Sequence, residues 1–407
     1  MTVLLPHHDG QLVCSAVDGS EVIGYVVIDS TIGGRSVGGL RMMPDVGEAE
    51  LREVARTMTL KYGFLGIAVG GAKGGVRGDP EAPQEERRLG LAAFARAVAP
   101  LLRTGVWSPG PDMGTDNDDI LHLMQTVGMA ANRGQWERGR TGYYTALTVL
   151  SGVRQALGHI GLSLPQCTVA IEGWGKVGSA VGQLLAEEGA RIVAVSTARG
   201  AICNAQGLDV RKLQSLAAET GSCAVEVYEG AQHLERAALL SLPVDVLCPC
   251  ARHHSVHAGN AESVAARVIC PGANNPLTAE AERLLFQRGV LCLPDFVTNC
   301  GGALGGTLES AGASSAQISA FIEQHIDRRI AWLLDEAARQ QALPRDVAVP
   351  LALRRFEEMR RYASRATVSA VFGQFQRLAQ KLQARGWVPK RLSAAVMTAY
   401  LARSMAW

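Results

Sequence analysis

The sequence predicts an α/β protein of two domains, an N-terminal α/β domain and a doubly wound one, followed by C-terminal helices. Three observations carry this expectation. Between about residues 165 and 293, short β-branched runs alternate with stretches of helical period, and strands separated by helices make parallel βαβ units. The chain has 407 residues, more than one core organises, since single cores stop growing near ~250–300 residues. Beyond about residue 315 the pattern is helical to Trp407.

The elements follow in order. Gln11 to Val17 and Val22 to Ser30 read as strands, and Asp18-Gly19 between them has the turn chemistry of a hairpin. From Gly47 the period becomes helical, with Leu51, Val54, Ala55, Met58 and Leu65 on one stripe. A second helix is expected from Glu85 to Leu102 and a third from Asp118 to Val127, capped by Asp116 or Asn117. Thr168 to Ile171 is a short strand, after which Val177, Ala180, Val181, Leu184 and Leu185 recur at the spacing of a buried helical stripe. Strands are expected at Arg191 to Ser196, Val244 to Cys248, Val268 to Cys270 and Val290 to Leu293, and helices over Asp209 to Ala218 and Ala279 to Arg288. Gly386 and Pro389 break the last pair of helices. The domains expected are 1–140, joined by returning helices from 315–407, and 141–314.

Lys and Arg number 40 against 38 Asp and Glu, a formal charge of +2, and the basic residues are scattered. No field gathers polyanions, so nucleic acid is not an expected partner. No stretch approaches the ~18 apolar residues of a membrane helix, and the start Met-Thr-Val-Leu-Leu-Pro lacks a basic leader region. A cytoplasmic protein without membrane contact is expected. The nine cysteines form no C-x-x-C pair, which argues against a disulfide framework and a zinc ribbon. His253, His254 and His257 lack ligand spacing, and no metal is expected.

Gly173-Trp174-Gly175-Lys176-Val177-Gly178 follows a strand and opens an amphipathic helix. In that context G-x-G-x-x-G is the fingerprint of a Rossmann-type dinucleotide site: two glycines let the backbone approach a pyrophosphate, the third packs helix on strand, and the helix N-terminus faces the anion. The plain alternative is a glycine-rich turn without ligand. An acid that takes the ribose hydroxyls of NAD belongs at the end of the next strand. Here that strand ends Val195-Ser196-Thr197-Ala198-Arg199 with no carboxylate. Thr197 and Arg199 suit a 2′-phosphate, so the sequence leans to NADP; alternatively Arg199 faces solvent and either cofactor binds.

Gly70-Gly71-Ala72-Lys73-Gly74-Gly75 is not a Walker loop, because Lys73 is followed by Gly. A glycine cluster lets backbone crowd around one lysine, although a solvated lysine on a flexible glycine loop is the commoner meaning. Lys61 changes the balance, because helical geometry places it on the apolar stripe with Val54 and Met58. The pair reads as an anion site plus a lysine whose pKa is pushed down by its neighbour and by desolvation. Asp112 lies between Pro111 and Gly114 in a rigid loop, usually the mark of a turn residue, and Asp116 to Asp119 read as helix capping.

Taken together these segments resemble the glutamate/leucine/phenylalanine/valine dehydrogenase family. The resemblance is carried by Met58-Thr59-Leu60-Lys61, Gly70 to Gly75, Pro111-Asp112-Met113-Gly114-Thr115, Thr141-Gly142, the Gly173 fingerprint, Gly272-Ala273-Asn274-Asn275-Pro276, and Pro294-Asp295-Phe296-Val297-Thr298-Asn299-Cys300-Gly301-Gly302. They occur in the family's order over about residues 35–305. The resemblance implies reversible oxidative deamination of an L-amino acid to a 2-oxo acid and ammonia, with NAD or NADP, by a homo-oligomer. It implies that Lys61 binds the α-carboxylate, Lys73 activates water, and Asp112 exchanges protons with the amino nitrogen. It places Thr141 and Asn274 on the nicotinamide side and Asn299 in the substrate site.

Glutamate enzymes of the family resemble each other in a lysine near Gly38-Gly39 and a serine after the Asn-x-Gly-Gly segment, which hold the γ-carboxylate. The corresponding residues here are read as Leu40 and Gly306. An apolar wall does not repay the desolvation of a second carboxylate, so a nonpolar or aromatic L-amino acid is expected, with room above Gly306. The alternatives are glutamate or a larger amino-acid derivative, and a non-catalytic member that binds nucleotide or amino acid. Ile67-Ala68 departs from the family's Leu-Pro, and the tail from 315 to 407 carries no familiar motif.

Overall fold

The computed structural model describes residues 3–6, 11–129, 140–165, 167–364 and 390–404. They form two compact units, Met1–Gly139 with Leu351–Ser393 and Arg403–Trp407, and Arg140–Pro350 with Ala394–Ala402.

In the first unit β1 (Val3–Pro6), β2 (Leu12–Asp18), β3 (Glu21–Ile28), β4 (Ser36–Met42), β5 (Gly70–Val76) and β6 (Trp107–Pro111) make one sheet in the order β1-β2-β3-β5-β4-β6. Strands β1, β2, β3 and β5 pair antiparallel in succession, while β4 lies parallel to both β5 and β6. Helix α1 (Glu48–Leu65) covers one face: a Cβ on Gly71 would overlap the Thr59 backbone, and one on Gly75 would stand 2.8 Å from Leu51. Helices α2 (Gln84–Ala97), α3 (Ala99–Arg103) and α4 (Asn117–Thr126) take part in the core on the other face, where Leu40, Met42, Ala72 and Val76 meet Leu91, Phe94, Leu102, Ile120 and Leu123.

Gly70 to Gly75 is a fully buried central strand, in line with backbone crowded around Lys73 and not with the alternative of a flexible loop; Gly71 and Gly75 are what allow α1 so close. One expectation changes here. The single helix expected over 85–102 is two, because Pro100 has no N–H to continue the ladder at the Val98 junction. The capping expectation at α4 is met by reciprocal bonds of Asp116 and Asp119.

The second unit opens with α5 (Thr141–His159). Strands β7 (Thr168–Glu172), β8 (Arg191–Thr197), β9 (Gly200–Cys203), β10 (Gln232–Leu234), β11 (Val246–Pro249), β12 (Val268–Ile269) and β13 (Leu291–Cys292) form a sheet ordered β10-β9-β8-β7-β11-β12-β13. From β8 to β13 every pairing is parallel, with β9 and β10 an antiparallel margin, so the sheet is doubly wound as expected. Its helices are α6 (Lys176–Glu187), α7 (Val210–Thr220), α8 (Ala224–Val227), α9 (Ala258–Ala261), α10 (Ala279–Gln287), α11 (Asp295–Thr298), α12 (Gly301–Ser310) and α13 (Ser315–Gln340). Helix α14 (Pro344–Ser364) begins in this unit, and α15 (Lys390–Ser404) ends the described chain.

Helix α5 escaped the sequence because Tyr144 to Val153 is buried without interruption, which leaves no amphipathic period to read. Residues 315–350 also differ from expectation: α13 packs on α5, and this stretch belongs to the second unit rather than returning to the first. The Tyr144 hydroxyl donates to Glu309 at 2.6 Å and lies 2.8 Å from Ser315 Oγ, tying α5 to α12 and the start of α13. The break expected at Gly386 and Pro389 lies outside the described residues. Among the described residues no helix is long and apolar enough to cross a membrane.

Candidate active site

Strand β4 alternates between the two faces of its sheet, and this alternation assembles the first constellation. A Cβ on Gly39 would come 2.8 Å from Asp112 Cβ, and Arg41, two residues on, reaches Asp112 with its guanidinium. Lys73 belongs to the same face, since its neighbours in alternation, Gly71 and Gly75, meet α1. Its Nζ lies 2.8 Å from Asp112 Oδ1, and Arg41 Nε lies 3.0 Å from Oδ2. Arg41 also pairs with Glu50 of α1. The turn after β6 fixes the carboxylate: Thr115 Oγ1 accepts from the Asp112 N–H and donates to Leu40 O, while Gly114 adopts φ +75°.

Electrostatics follow from burial. Lys73 is 1% exposed, and burial pushes its pKa down to about 8; the Arg41 and Lys61 cations push the same way, against the Asp112 carboxylate. Burial alone would raise Asp112, but the Lys73 and Arg41 cations hold it well below the usual carboxylate range. The arrangement is a carboxylate held ionised between two cations, one of which releases its proton at about 8. That is the property a general base requires. Lys61 sits buried on α1, close enough to contribute to the Lys73 shift.

Leu40 is not part of this site. It is wholly buried in the core on the opposite face, near Trp107 and Gly74, so it forms no wall of a substrate pocket. On the Asp112 face its place falls by alternation to half-buried Val37. Arg41, which sequence reasoning missed, is a further residue holding Asp112. Its signal was the spacing of two from Gly39, hidden because Gly38-Gly39 gives a strand no readable pattern.

In the second unit Gly173 adopts φ +93°, where only glycine is relaxed, and a Cβ on Gly178 would overlap the Gly173 carbonyl oxygen. No side chain caps α6 at Gly175, so the opening of the helix suits an anion in place of a cap. The flanking segments close around this turn. A Cβ on Gly142 would stand 3.0 Å from Lys176 O, and one on Gly272 would stand 3.0 Å from Val177. Thr141, Lys176, Val177 and the Gly272 loop are thus neighbours, as a dinucleotide crevice at the carboxyl ends of the strands requires. These residues fit an NAD or NADP pyrophosphate.

The loop carrying Asn274 is braced from behind. Asn299, buried, donates from Nδ2 to Ala273 O at 2.8 Å and to Asn274 Oδ1 at 3.1 Å. Asp295 accepts the Asn275 N–H at 2.9 Å, and Arg345 at the start of α14 reaches both Asp295, at 2.9 Å, and Glu282, at 2.5 Å. Gly306 on α12 is half-buried, and an added Cβ there would meet nothing within 4 Å.

At the end of β8 both side chains that the sequence offered to a 2′-phosphate have partners within the fold. The Thr197 hydroxyl donates to Ser222 O at 2.6 Å and accepts the Arg199 N–H, so its one proton is engaged within the turn and none is left for a phosphate. Arg199 faces a carboxylate after all, Glu226 Oε1 at 3.2 Å.

Residues 138–386 match the family model described as Glutamate/Leucine/Phenylalanine/Valine dehydrogenase, and residues 12–129 match that of the Glu/Leu/Phe/Val dehydrogenase, dimerisation domain. The chain is 35% identical over 295 residues to the glutamate dehydrogenase of Thermotoga maritima, covering 69% of this chain and 70% of that one. It is 30% identical over 381 residues to the NADP(+)-dependent glutamate dehydrogenase of Pyrobaculum calidifontis, covering 90% and 87%. The hetero-hexameric glutamate dehydrogenase from Thermus thermophilus, in its Leu bound form, is similar in structure with a TM-score of 0.72 at 26% identity, over 88% of each chain.

Proposed function

This chain belongs to the Glu/Leu/Phe/Val dehydrogenase family and is an NAD(P)-dependent amino acid dehydrogenase; from that premise we propose that its Lys73–Asp112 pair carries the reversible oxidative deamination of an L-amino acid. The observation that carries the reading is a buried lysine held 2.8 Å from a carboxylate, its pKa pushed down to about 8 by burial. Lys61 binds the substrate α-carboxylate. The cofactor, when bound at the Gly173 turn, supplies the acceptor for the hydride leaving Cα. Lys73 in its neutral form takes a proton from the water that attacks the imino carbon, and Asp112 passes protons between Lys73 and the substrate nitrogen. Because two cations hold Asp112 ionised, the pair and not the carboxylate alone is the proton-transfer unit. Each turnover converts one amino acid, one water and one oxidised cofactor into 2-oxo acid, ammonium, reduced cofactor and one proton.

For the side chain, glutamate is the leading substrate. The relatives reported above bear that name, and the argument against a second carboxylate loses Leu40, which lies in the core. A nonpolar or aromatic substrate is the second reading, supported by half-buried Val37 on the Asp112 face. The match of residues 12–129 to a dimerisation domain supports a homo-oligomer. The test is nicotinamide absorbance with each proteinogenic L-amino acid and both cofactors. Glutamate turnover alone decides for the first reading and leucine, phenylalanine or tryptophan turnover for the second; no turnover with any of them refutes the proposal.

A further inference from the structure

The end of β8 is part of the dinucleotide turn. The Gly173 N–H donates to Ser196 Oγ at 3.0 Å and the Trp174 N–H to Ser196 O at 2.7 Å. Past Thr197 the chain reverses through Ala198-Arg199 into β9. In a doubly wound sheet the residues just beyond this strand meet the ribose of the adenosine, and an acid there distinguishes a 2′-hydroxyl from a 2′-phosphate. The strand end itself has no acid. The fold supplies one from elsewhere: Glu226 of α8, whose carboxylate lies 3.2 Å from Arg199 Nε. The placement is built, because Thr197 donates to Ser222 O and so docks the Gly221–Cys223 turn that leads into α8. Both side chains remain open to a ligand, Arg199 at 56% and Glu226 at 43% exposure.

We propose that Glu226 selects the cofactor, accepting the ribose 2′-hydroxyl of NAD and opposing the 2′-phosphate of NADP, with Arg199 as the residue that holds it there. Arg199 alone in the sequence leaned towards NADP. Its partner in space reverses the argument, since a phosphate carrying nearly two negative charges meets an arginine already neutralised and a carboxylate beside it. Charge repulsion of this kind is how a site rejects one of two ligands that share all other contacts. The inference rests on the NAD(P) reading above and adds the direction of its preference.

The test separates binding from turnover. Calorimetry with 5′-AMP and with adenosine 2′,5′-bisphosphate reads the adenosine site without any redox chemistry, and kcat/KM with NAD and NADP reads the enzyme. The wild type is expected to favour 5′-AMP and NAD. Glu226→Gln is expected to move both ratios towards the 2′-phosphorylated ligand by about tenfold or more. Arg199→Ala, with Glu226 kept but no longer anchored, is expected to weaken use of NADP further and to raise KM for NAD as well. A wild type that favours NADP, or ratios that stay within about twofold in Glu226→Gln, overturns the inference. A protein that discriminates the two adenosine ligands but deaminates no amino acid refutes the proposed function and leaves this inference standing.

Discussion

Asp112→Asn removes one charge while keeping shape and hydrogen-bonding capacity, and it tests whether Lys73 and Asp112 act as a unit. At 2.8 Å from Lys73 Nζ, a full charge is worth about 6 kcal/mol at an effective dielectric near 20. The net effect is smaller, because the Arg41 cation sits 3.0 Å from the other oxygen and the Asp112 side chain keeps 19% exposure. The sign is firm: the carboxylate holds the Lys73 pKa up against burial, so without it the lysine loses its proton at lower pH. In the deamination direction kcat/KM is expected to rise with pH around the Lys73 value of about 8, and in the variant that rise is expected to move down by about one pH unit or more. At the same time kcat is expected to fall by about 10²–10⁴, the usual contribution of a positioned proton-transfer group. The assay is a pH profile of kcat and kcat/KM at saturating cofactor, with circular dichroism to confirm folding. A limb that stays near its wild-type position, or a kcat within about tenfold of wild type, refutes the coupled pair.

Other outcomes follow from the same geometry. Leu40→Ala is expected to cost about 2–5 kcal/mol of stability as a core truncation while leaving KM for the amino acid within about twofold; a selective change in KM with an unchanged urea midpoint would return Leu40 to the pocket. Between pH 8 and the ordinary lysine value of 10.5, the unfolded chain holds a proton that folded Lys73 has lost. Wild-type stability relative to Lys73→Met is therefore expected to rise across that window, by at most about 3 kcal/mol, and a difference that falls or stays flat in urea titrations contradicts the depressed value. Arg345→Ala leaves Asp295 and Glu282 buried without their cation, an expected loss of about 3–5 kcal/mol, and raises KM for the cofactor by loosening the Asn275 contact. Arg345→Lys recovers less of that KM than of the stability, because only the guanidinium fork spans both carboxylates; a cofactor KM unaffected in both variants shows that Arg345 does not position the loop.

What the sequence revealed and what it concealed divide along one physical line. Features set by neighbours in the chain were legible. The Gly173 turn needs its positive φ within a few residues of the helix it opens, Asp116 caps a helix it immediately precedes, and Lys61 shares a helical stripe with Val54 and Met58. Features set by pairing across the sheet or by a second segment were not. Strand β5 looked like a loop because its glycines serve the approach of α1, a helix that precedes it by five residues in sequence but meets it only in the fold. Leu40 and Arg41 are adjacent in sequence and lie on opposite faces of β4, so a shift of one residue exchanges a core side chain for a catalytic neighbour. Reading Leu40 as a pocket wall was an error of that kind, and it bore directly on substrate, since the apolar character of a core residue says nothing about a γ-carboxylate. Glu226 shows the same logic for the cofactor. The end of β8 carries only Thr197 and Arg199, whereas the carboxylate that pairs with Arg199 arrives on α8 through the turn that Thr197 docks. Specificity in this chain is written on the residues that folding brings together, and chemistry on those that local sequence already marks.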